Sequence, residues 1–318
     1  MADLRYSKLT LPSHDVVVAV RSAEKARWIQ DKYSAQKVST TIVEDITADA
    51  AFDHAVQSTP PFDSVIHAAS PFHFKSKDFQ KEILDPAIKG TVGILKSIKA
   101  QAPSVKRVVI TSSMAAVLNW NNPPDLYEEN TWNPITYEEA LSGPIFAYIG
   151  SKTFAEKAAR DFVKSERANF TLATIHPPGV YGPPIHDLQS LDAINTSNGA
   201  FAQLLQGAWQ NEVPENGPTQ WVDVRDVALS HVRAMELPEA AGRRFITVAG
   251  YTSNAEVSAI VARRHPEIRN KLPQTFGKTL DGKASRVDTD PAQKVLGVRF
   301  TALEDSVADT IAALAPLA

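Results

Sequence analysis

Tyr148-Ile-Gly-Ser-Lys152 sets a phenol and an ammonium four residues apart, in a stretch of helical spacing that continues Thr153-Phe-Ala-Glu-Lys-Ala-Ala-Arg160. Positions i and i+4 share a helix face, so the two groups can meet. Upstream, Arg107-Val-Val-Ile-Thr-Ser-Ser-Met114 reads as a short buried strand running into a hydroxyl-rich turn, with Ser113 at its end. A Ser, a Tyr and a Lys brought together form a hydride-transfer kit. One group orients a carbonyl, one gives a proton, and one lowers the pKa of the proton donor. The spacing alone is weak, because a chain with 7 Tyr and 33 Lys plus Arg shows it by chance. The competing reading is a surface helix with an exposed Tyr–Lys pair.

The elements around the three residues favour the chemical reading. The helix begins after a polar, loop-like stretch, and Thr171-Leu-Ala-Thr-Ile-His176 follows as another strand, ending in the rigid Pro177-Pro-Gly-Val-Tyr-Gly-Pro183. Before them the pattern predicts strands at Val16–Val20, Thr40–Val43 and Ser64–His67. It predicts helices at Ala23–Ser34, Ala48–Gln57 and Pro86–Ala100, the last with Pro in its first turn, where it is tolerated. Strands at Val108–Thr111 and Leu172–His176 flank a long helix at Ala147–Glu166. This alternation predicts an α/β fold with a doubly wound parallel sheet, and chemistry at the carboxyl ends of its strands. After Pro183 the rhythm breaks into Pro/Asn/Ser-rich loops. Residues 1–183, with 221–235 returning, are expected to form a dinucleotide-binding domain. Residues 184–220 and 236–318 are expected to form a smaller C-terminal substrate lobe.

Six stretches occur in order: Ile66-His-Ala-Ala-Ser-Pro71, Asp85-Pro-Ala-Ile-Lys-Gly-Thr91, Val109-Ile-Thr-Ser-Ser113 with Tyr148-x-x-x-Lys152, His176–Pro183, and Trp221-Val-Asp-Val-Arg-Asp-Val-Ala228. Together they resemble an extended short-chain dehydrogenase/reductase. Within that group the chain is similar to fungal carbonyl (methylglyoxal or aldehyde) reductases related to plant dihydroflavonol and cinnamoyl-CoA reductases. The resemblance runs from about Ser13 to the C-terminus and is specific to the family, not to a substrate. A sugar-nucleotide epimerase or dehydratase is a variant of the same idea.

One departure weighs as much. No glycine precedes Gly90. The family opens with a strand, a Gly-x-x-Gly-x-x-Gly turn and a helix, whose glycines let backbone N–H groups approach a pyrophosphate. Here Met1–Pro12 leads straight into Ser13-His-Asp-Val-Val-Val-Ala-Val-Arg21, which matches the family's second strand. Leu9-Thr-Leu11 can supply only a stub of strand before Pro12. A central strand buries about five side chains at roughly 1.5–3 kcal/mol each, on the order of 10 kcal/mol, against a typical domain stability of about 5–15 kcal/mol. Three readings stay open: a shortened or mis-spliced record of an active reductase, a short chain that has lost dinucleotide binding, or weak binding through the remaining contacts.

The resemblance implies NADPH as cofactor and a ketone or aldehyde as substrate. Catalysis falls to Ser113, Tyr148 and Lys152, with Ser112 the competitor of Ser113. Arg21 ends the second strand where an NAD enzyme would carry an acid for the ribose hydroxyls. Its guanidinium suits a 2′-phosphate, with Lys25 one turn on to assist, although both also read as solvated charges at a helix start. Asp45 and Ile46 are expected beside the adenine, Ala68, Ala69 and Ser70 near the pyrophosphate and ribose, and Pro177 and Val180 near the nicotinamide. Asp45 reads equally well as a helix N-cap. Phe72, Phe74, Leu118 and Trp120 are candidates to line an apolar pocket or simply to pack. His67 and His176 read as packing or loop residues, Asp223 and Asp226 as loop anchors, and Arg263-Arg264-His265 as a solvated helix face.

Bulk properties exclude several classes. A net charge of −3 gives no basic surface for nucleic acid. The absence of Cys rules out disulfides and cysteine metal sites, and no His/Asp/Glu set has metal-ligand spacing. No long apolar run suits a membrane, so a cytoplasmic monomer or homodimer is expected, with a role in secondary metabolism in view. The alternative is a cofactor-deficient pseudoenzyme that binds small molecules or proteins through the same scaffold.

Overall fold

The computed structural model describes residues 14–70, 76–185, 188–277 and 284–318. The expected stub Leu9–Leu11 and the pocket candidates Phe72 and Phe74 lie outside the described residues. Contacts divide the chain into two compact units. One holds the residues up to His176 together with His231–Phe245, the other Pro177–Ser230 with Ile246–Ala318.

The first unit alternates strand and helix, as hydrophobic runs separated by capped amphipathic segments dictate. Strand β1 (Val16–Val20) leads to helix α1 (Ala23–Lys32), whose N-cap Ser22 accepts a bond from Lys25 N at 3.3 Å. Strand β2 (Val38–Ile42) follows and pairs parallel with β1, Val16 opposite Val38. Next come β3 (Ser64–His67), α2 (Asp85–Gln101), β4 (Arg107–Thr111), the two-residue β5 (Leu126–Tyr127) and the single turn α3 (Tyr137–Ala140). The long α4 (Pro144–Ser165), started by Pro at its first position, and β6 (Thr171–His176) complete the run. Strands β3, β4 and β6 are parallel and in register, Ile66 opposite Val109 and Val109 opposite Ala173.

Among the described residues β1 and β2 form one two-stranded sheet, while β3, β4 and β6 with the later strand Arg244–Ile246 form a separate four-stranded one. The break falls between β1 and β3, where the family order would insert its first strand. Burial follows it. Val108 and Val109 of β4 are fully buried, whereas Ile66 of β3 is 40% exposed and no residue of β1 is buried. The main apolar cluster of this unit joins Ile94, Leu95 and Ile98 of α2 to Val108, Ile110 and Leu172 of the larger sheet.

Two expectations need correction. The segment 48–57 is not a helix but a chain of turns, with Ala50 at φ +56°. Side-chain anchors hold it: Asp45 accepts from Thr47 N and Oγ1 at 2.8 and 2.7 Å, Asp53 accepts from Ser97 at 2.6 Å, and His54 bonds Ile42 O at 2.8 Å. These bonds outcompete the weak helical pattern and still bury Phe52 and Val56. Strand β2 begins two residues before the expected Thr40, because Val38 already faces Val16.

The second compact unit comprises Pro177–Ser230 and Ile246–Ala318, and His231–Phe245 groups with the first. The reason is pairing. Strand β6 belongs to the four-stranded sheet, but β7 (Gly179–Tyr181) pairs parallel with β8 (Thr219–Asp223), and β8 pairs antiparallel with Gly250–Thr252. Helix α5 (Gly199–Leu205) contributes Phe201 and Leu205 to this unit's core, with Trp209, Trp221 and Val261. Asp223 receives Arg225 Nη2 at 2.7 Å and Asp226 receives Thr301 N at 2.7 Å, so both carboxylates anchor loops here. Arg263 and Arg264 are exposed and pair with Glu304.

Candidate active site

Strand β4 ends in two serines and α4 passes beside them. Gly150 makes this approach possible: a Cβ there would meet the Cβ of Ala140 at 2.4 Å, so only glycine lets α3 lie this close to α4. Buried Ala147 and Ile149 pack against Ala115, Ile135 and Ala140. Tyr148, half-buried on the same helix, then donates its hydroxyl to Ser113 Oγ at 3.2 Å. Ser113 Oγ also accepts from Ala115 N at 3.1 Å. Both of its lone pairs are engaged, so its own proton points away from this pair.

Lys152 follows one turn later, its Nζ 6.0 Å from the centre of the Tyr148 ring. It lines a small cavity with His67, Ala69, Ser70, Thr91, Ser112 and Glu156. Burial pushes the Lys152 ammonium down to about 8. Burial also raises Tyr148, and the bond to Ser113 partly offsets that. The expected lowering of the phenol by Lys152 is therefore not its balance in this structure. His67, 4% exposed, stands edge-on to Phe52, and burial with the charge of Lys152 lowers it to about 4. Its Nε2 has no hydrogen-bond partner among the described residues.

The remaining expected site residues are less gathered. Arg21 and Lys25 are exposed at the end of β1 and the start of α1. Asp45 is exposed and bonded to Thr47, which holds its carboxyl below the usual range; it caps no helix. The Ile46 side chain lies against Gly90, where a Cβ would come within 3.0 Å of it. Ala68 and Ala69 are exposed and Ser70 is half-buried. Pro177 and Val180 belong to the second unit. Trp120 is 59% exposed and Leu118 half-buried.

Sequence reasoning missed Glu156. It is 2% exposed and accepts from Ser112 Oγ at 2.6 Å, His176 Nε2 at 2.7 Å, Arg244 Nε at 2.9 Å, Thr174 Oγ1 at 3.0 Å and Arg160 Nε at 3.2 Å. Burial opposes its charge, but His176, Arg244 and Arg160 hold the carboxyl well below its ordinary value. A signal was present: Glu156 stands four residues after Lys152 and eight after Tyr148, so the three share one helix face. No cluster suited to a metal occurs among the described residues, and no helix there is long and apolar enough to cross a membrane.

A parallel sheet with flanking helices defines a Rossmann-like α/β protein, with Ser113, Tyr148 and Lys152 past the carboxyl end of β4 and on α4. Residues 6–249 match the NAD dependent epimerase/dehydratase family, and the chain belongs to it. Ketoreductase azaE of Aspergillus niger is 42% identical over 306 residues, covering 95% of this chain and 90% of that one. The NADPH-dependent methylglyoxal reductase GRE2 of Saccharomyces cerevisiae is 35% identical over 317 residues, with 93% and 90% covered. The crystal structure of yeast methylglyoxal/isovaleraldehyde reductase Gre2 complexed with NADPH superposes with a TM-score of 0.88 at 33% identity, over 98% of this chain and 94% of that one.

Proposed function

We propose that the protein is an NADPH-dependent reductase that turns a ketone or aldehyde into an alcohol with Ser113, Tyr148 and Lys152. The observation that carries this reading is the 3.2 Å contact of Tyr148 with Ser113, beside a cavity that Lys152 shares with the Ala69–Ser70 loop. The residues fit the nicotinamide half of the cofactor. Lys152 has three N–H donors for ribose hydroxyls, and Ser70 and Thr91 offer hydroxyls in the same cavity. Bound NADPH supplies the hydride that the carbonyl carbon receives. Tyr148 gives its proton to the oxygen as negative charge grows there. Ser113 donates its O–H to that oxygen, and the bond it accepts from Ala115 N holds the hydroxyl in place as the Tyr148 proton turns from Ser113 to the substrate. Arg21 and Lys25 would take the 2′-phosphate. The similarity to a ketoreductase and a methylglyoxal reductase favours small carbonyl compounds as substrates. A place in secondary metabolism belongs to the same reading.

The test is two measurements on one preparation: NADPH binding by fluorescence, and loss of NADPH absorbance with methylglyoxal and a panel of ketones. Saturable binding and turnover support the reading. Absence of binding below about millimolar NADPH, some 4 kcal/mol of binding free energy, removes it. A pH profile adds detail. Lys152 is charged below about pH 8, so the Michaelis constant for NADPH rises as pH climbs through 8. In Lys152→Arg that limb disappears.

A second reading has its own observation. Among the described residues the sheet is in two parts and β1 is only half-buried, which favours a scaffold that binds small molecules or proteins without cofactor. The same fluorescence titration separates the two.

A further inference from the structure

The two serines at the end of β4 point their hydroxyls at different partners. Ser113 meets Tyr148, and Ser112 donates to Glu156 at 2.6 Å. Nothing in the reaction proposed above uses Ser112 or Glu156. Yet Glu156 rides on the helix that carries Tyr148 and Lys152, and its carboxylate gathers donors from β6, from Arg244 and from α4 itself. Ser112 N further donates to Ile175 O at 2.8 Å, extending the β4–β6 pairing past the last strand residue. One buried carboxylate thus joins the helix bearing the phenol to the strand end bearing its partner.

We propose that Ser112 and Glu156 are a positioning pair that holds the Ser113 oxygen in place beside Tyr148. The inference rests on the reductase reading, which makes Ser113 and Tyr148 the working pair. Its logic is local. Ser113 is held in extended backbone, φ −161° and ψ 157°, next to a residue whose side chain is tied down. Freeing Ser112 lets the strand end rotate, and the Ser113 oxygen leaves its place between Tyr148 and Ala115 N. Four other donors keep Glu156 satisfied when Ser112 is lost, so the fold survives the change. An error of about 1 Å in the placement of a reacting group costs on the order of a hundredfold in rate.

The experiment reads Tyr148 directly and does not need turnover. Tyrosine is labelled with 13C at Cζ, the Tyr148 signal is assigned by its loss in Tyr148→Phe, and its titration midpoint is followed. Ser113 and the Lys152 ammonium stand beside this phenol, and neither is altered in Ser112→Ala. Ser113→Ala should raise the midpoint, because the hydroxyl that favours the phenolate is gone. Ser112→Ala should raise it too, and the double variant should sit no higher than Ser113→Ala alone. Ser112→Cys, whose thiol is a weak donor of similar size, gives the same pattern if Ser112→Ala does not fold. In turnover, Ser112→Ala should lose about tenfold in kcat with the KM for NADPH within about twofold. A Ser112→Ala midpoint equal to wild type, or a double variant whose shift is the sum of the singles, overturns the pair. A Ser113→Ala midpoint equal to wild type overturns the Ser113–Tyr148 contact itself, and the reductase reading with it.

Discussion

Strands β1 and β4 look alike as sequence and differ as structure. Val-Val-Val-Ala-Val at 16–20 is the more apolar, yet none of it is buried, while the first four residues of Arg-Val-Val-Ile-Thr at 107–111 are. The difference lies in their neighbours. Strand β4 has a partner on each side, β3 and β6, and helices α2 and α4 pack together within its unit. Strand β1 has β2 alone among the described residues. A parallel strand gains its stability from burial on both faces, so composition alone does not secure it. The division runs through the proposed function as well. The groups proposed for proton transfer stand on the four-stranded side, where Glu156 and Ser112 cross-link them. The groups proposed for the nucleotide phosphate stand on the two-stranded side and are exposed.

The sharpest way to break this contrast is Tyr148→Phe. If the four-stranded side holds the chemistry, the variant loses 10²–10⁴-fold in turnover while NADPH affinity, measured by fluorescence, stays within about twofold. Retained turnover would take the proton donor out of the site. Next in size is an acid effect. His67 is neutral in the fold down to about pH 4 but titrates near 6.5 when unfolded. The unfolded chain therefore binds a proton that the fold refuses. The full stability is present above pH 6.5, and about 3 kcal/mol of it is lost as pH falls toward 4. Urea midpoints of wild type and His67→Phe at pH 7 and pH 4.5 measure this; equal pH losses in the two proteins would clear His67. Smaller again is Gly150→Ala. Its new methyl would lie 2.4 Å from the Ala140 Cβ, so α3 must shift, at about 1–3 kcal/mol. A urea midpoint unchanged from wild type would show that α3 yields freely.

How much of this the sequence announces depends on whether a feature is local. Tyr148 and Lys152 are legible because helical spacing places both on one face, and Ser113 because a β-run ends in hydroxyls. The chain divides within His176-Pro177, a point that no punctuation marks, since Pro and Gly run on to 183. That boundary is decided by which strand β7 pairs with. The turns at 48–57 replace a helix because Asp53 and His54 find partners on Ser97 and Ile42, contacts invisible to local propensity. Glu156 was half legible. Its place on the Tyr148–Lys152 face is sequence information, but its partners Thr174, His176 and Arg244 come from strands 15 or more residues away. The absence of glycine before Gly90 is legible directly in the sequence, and among the described residues β1–β2 and β3–β4–β6 form separate sheets.

The smallest expected effect probes the weaker side of the comparison. Arg21→Glu reverses one exposed charge at the end of β1, and the KM for NADPH should rise about tenfold while that for NADH barely moves. Because Arg21 is exposed, salt should erode the difference. A series from low to high ionic strength should shrink the NADPH penalty toward unity, as the screening length falls from about 10 Å at 0.1 M to about 3 Å at 1 M. The loss in Tyr148→Phe should ignore salt, since a half-buried proton donor is replaced by nothing that ions can imitate. If Arg21→Glu raises both constants equally, Arg21 does not meet the 2′-phosphate. If its effect survives high salt undiminished, the guanidinium is enclosed when the nucleotide binds, and the two-stranded side is better built in the complex than its exposure indicates.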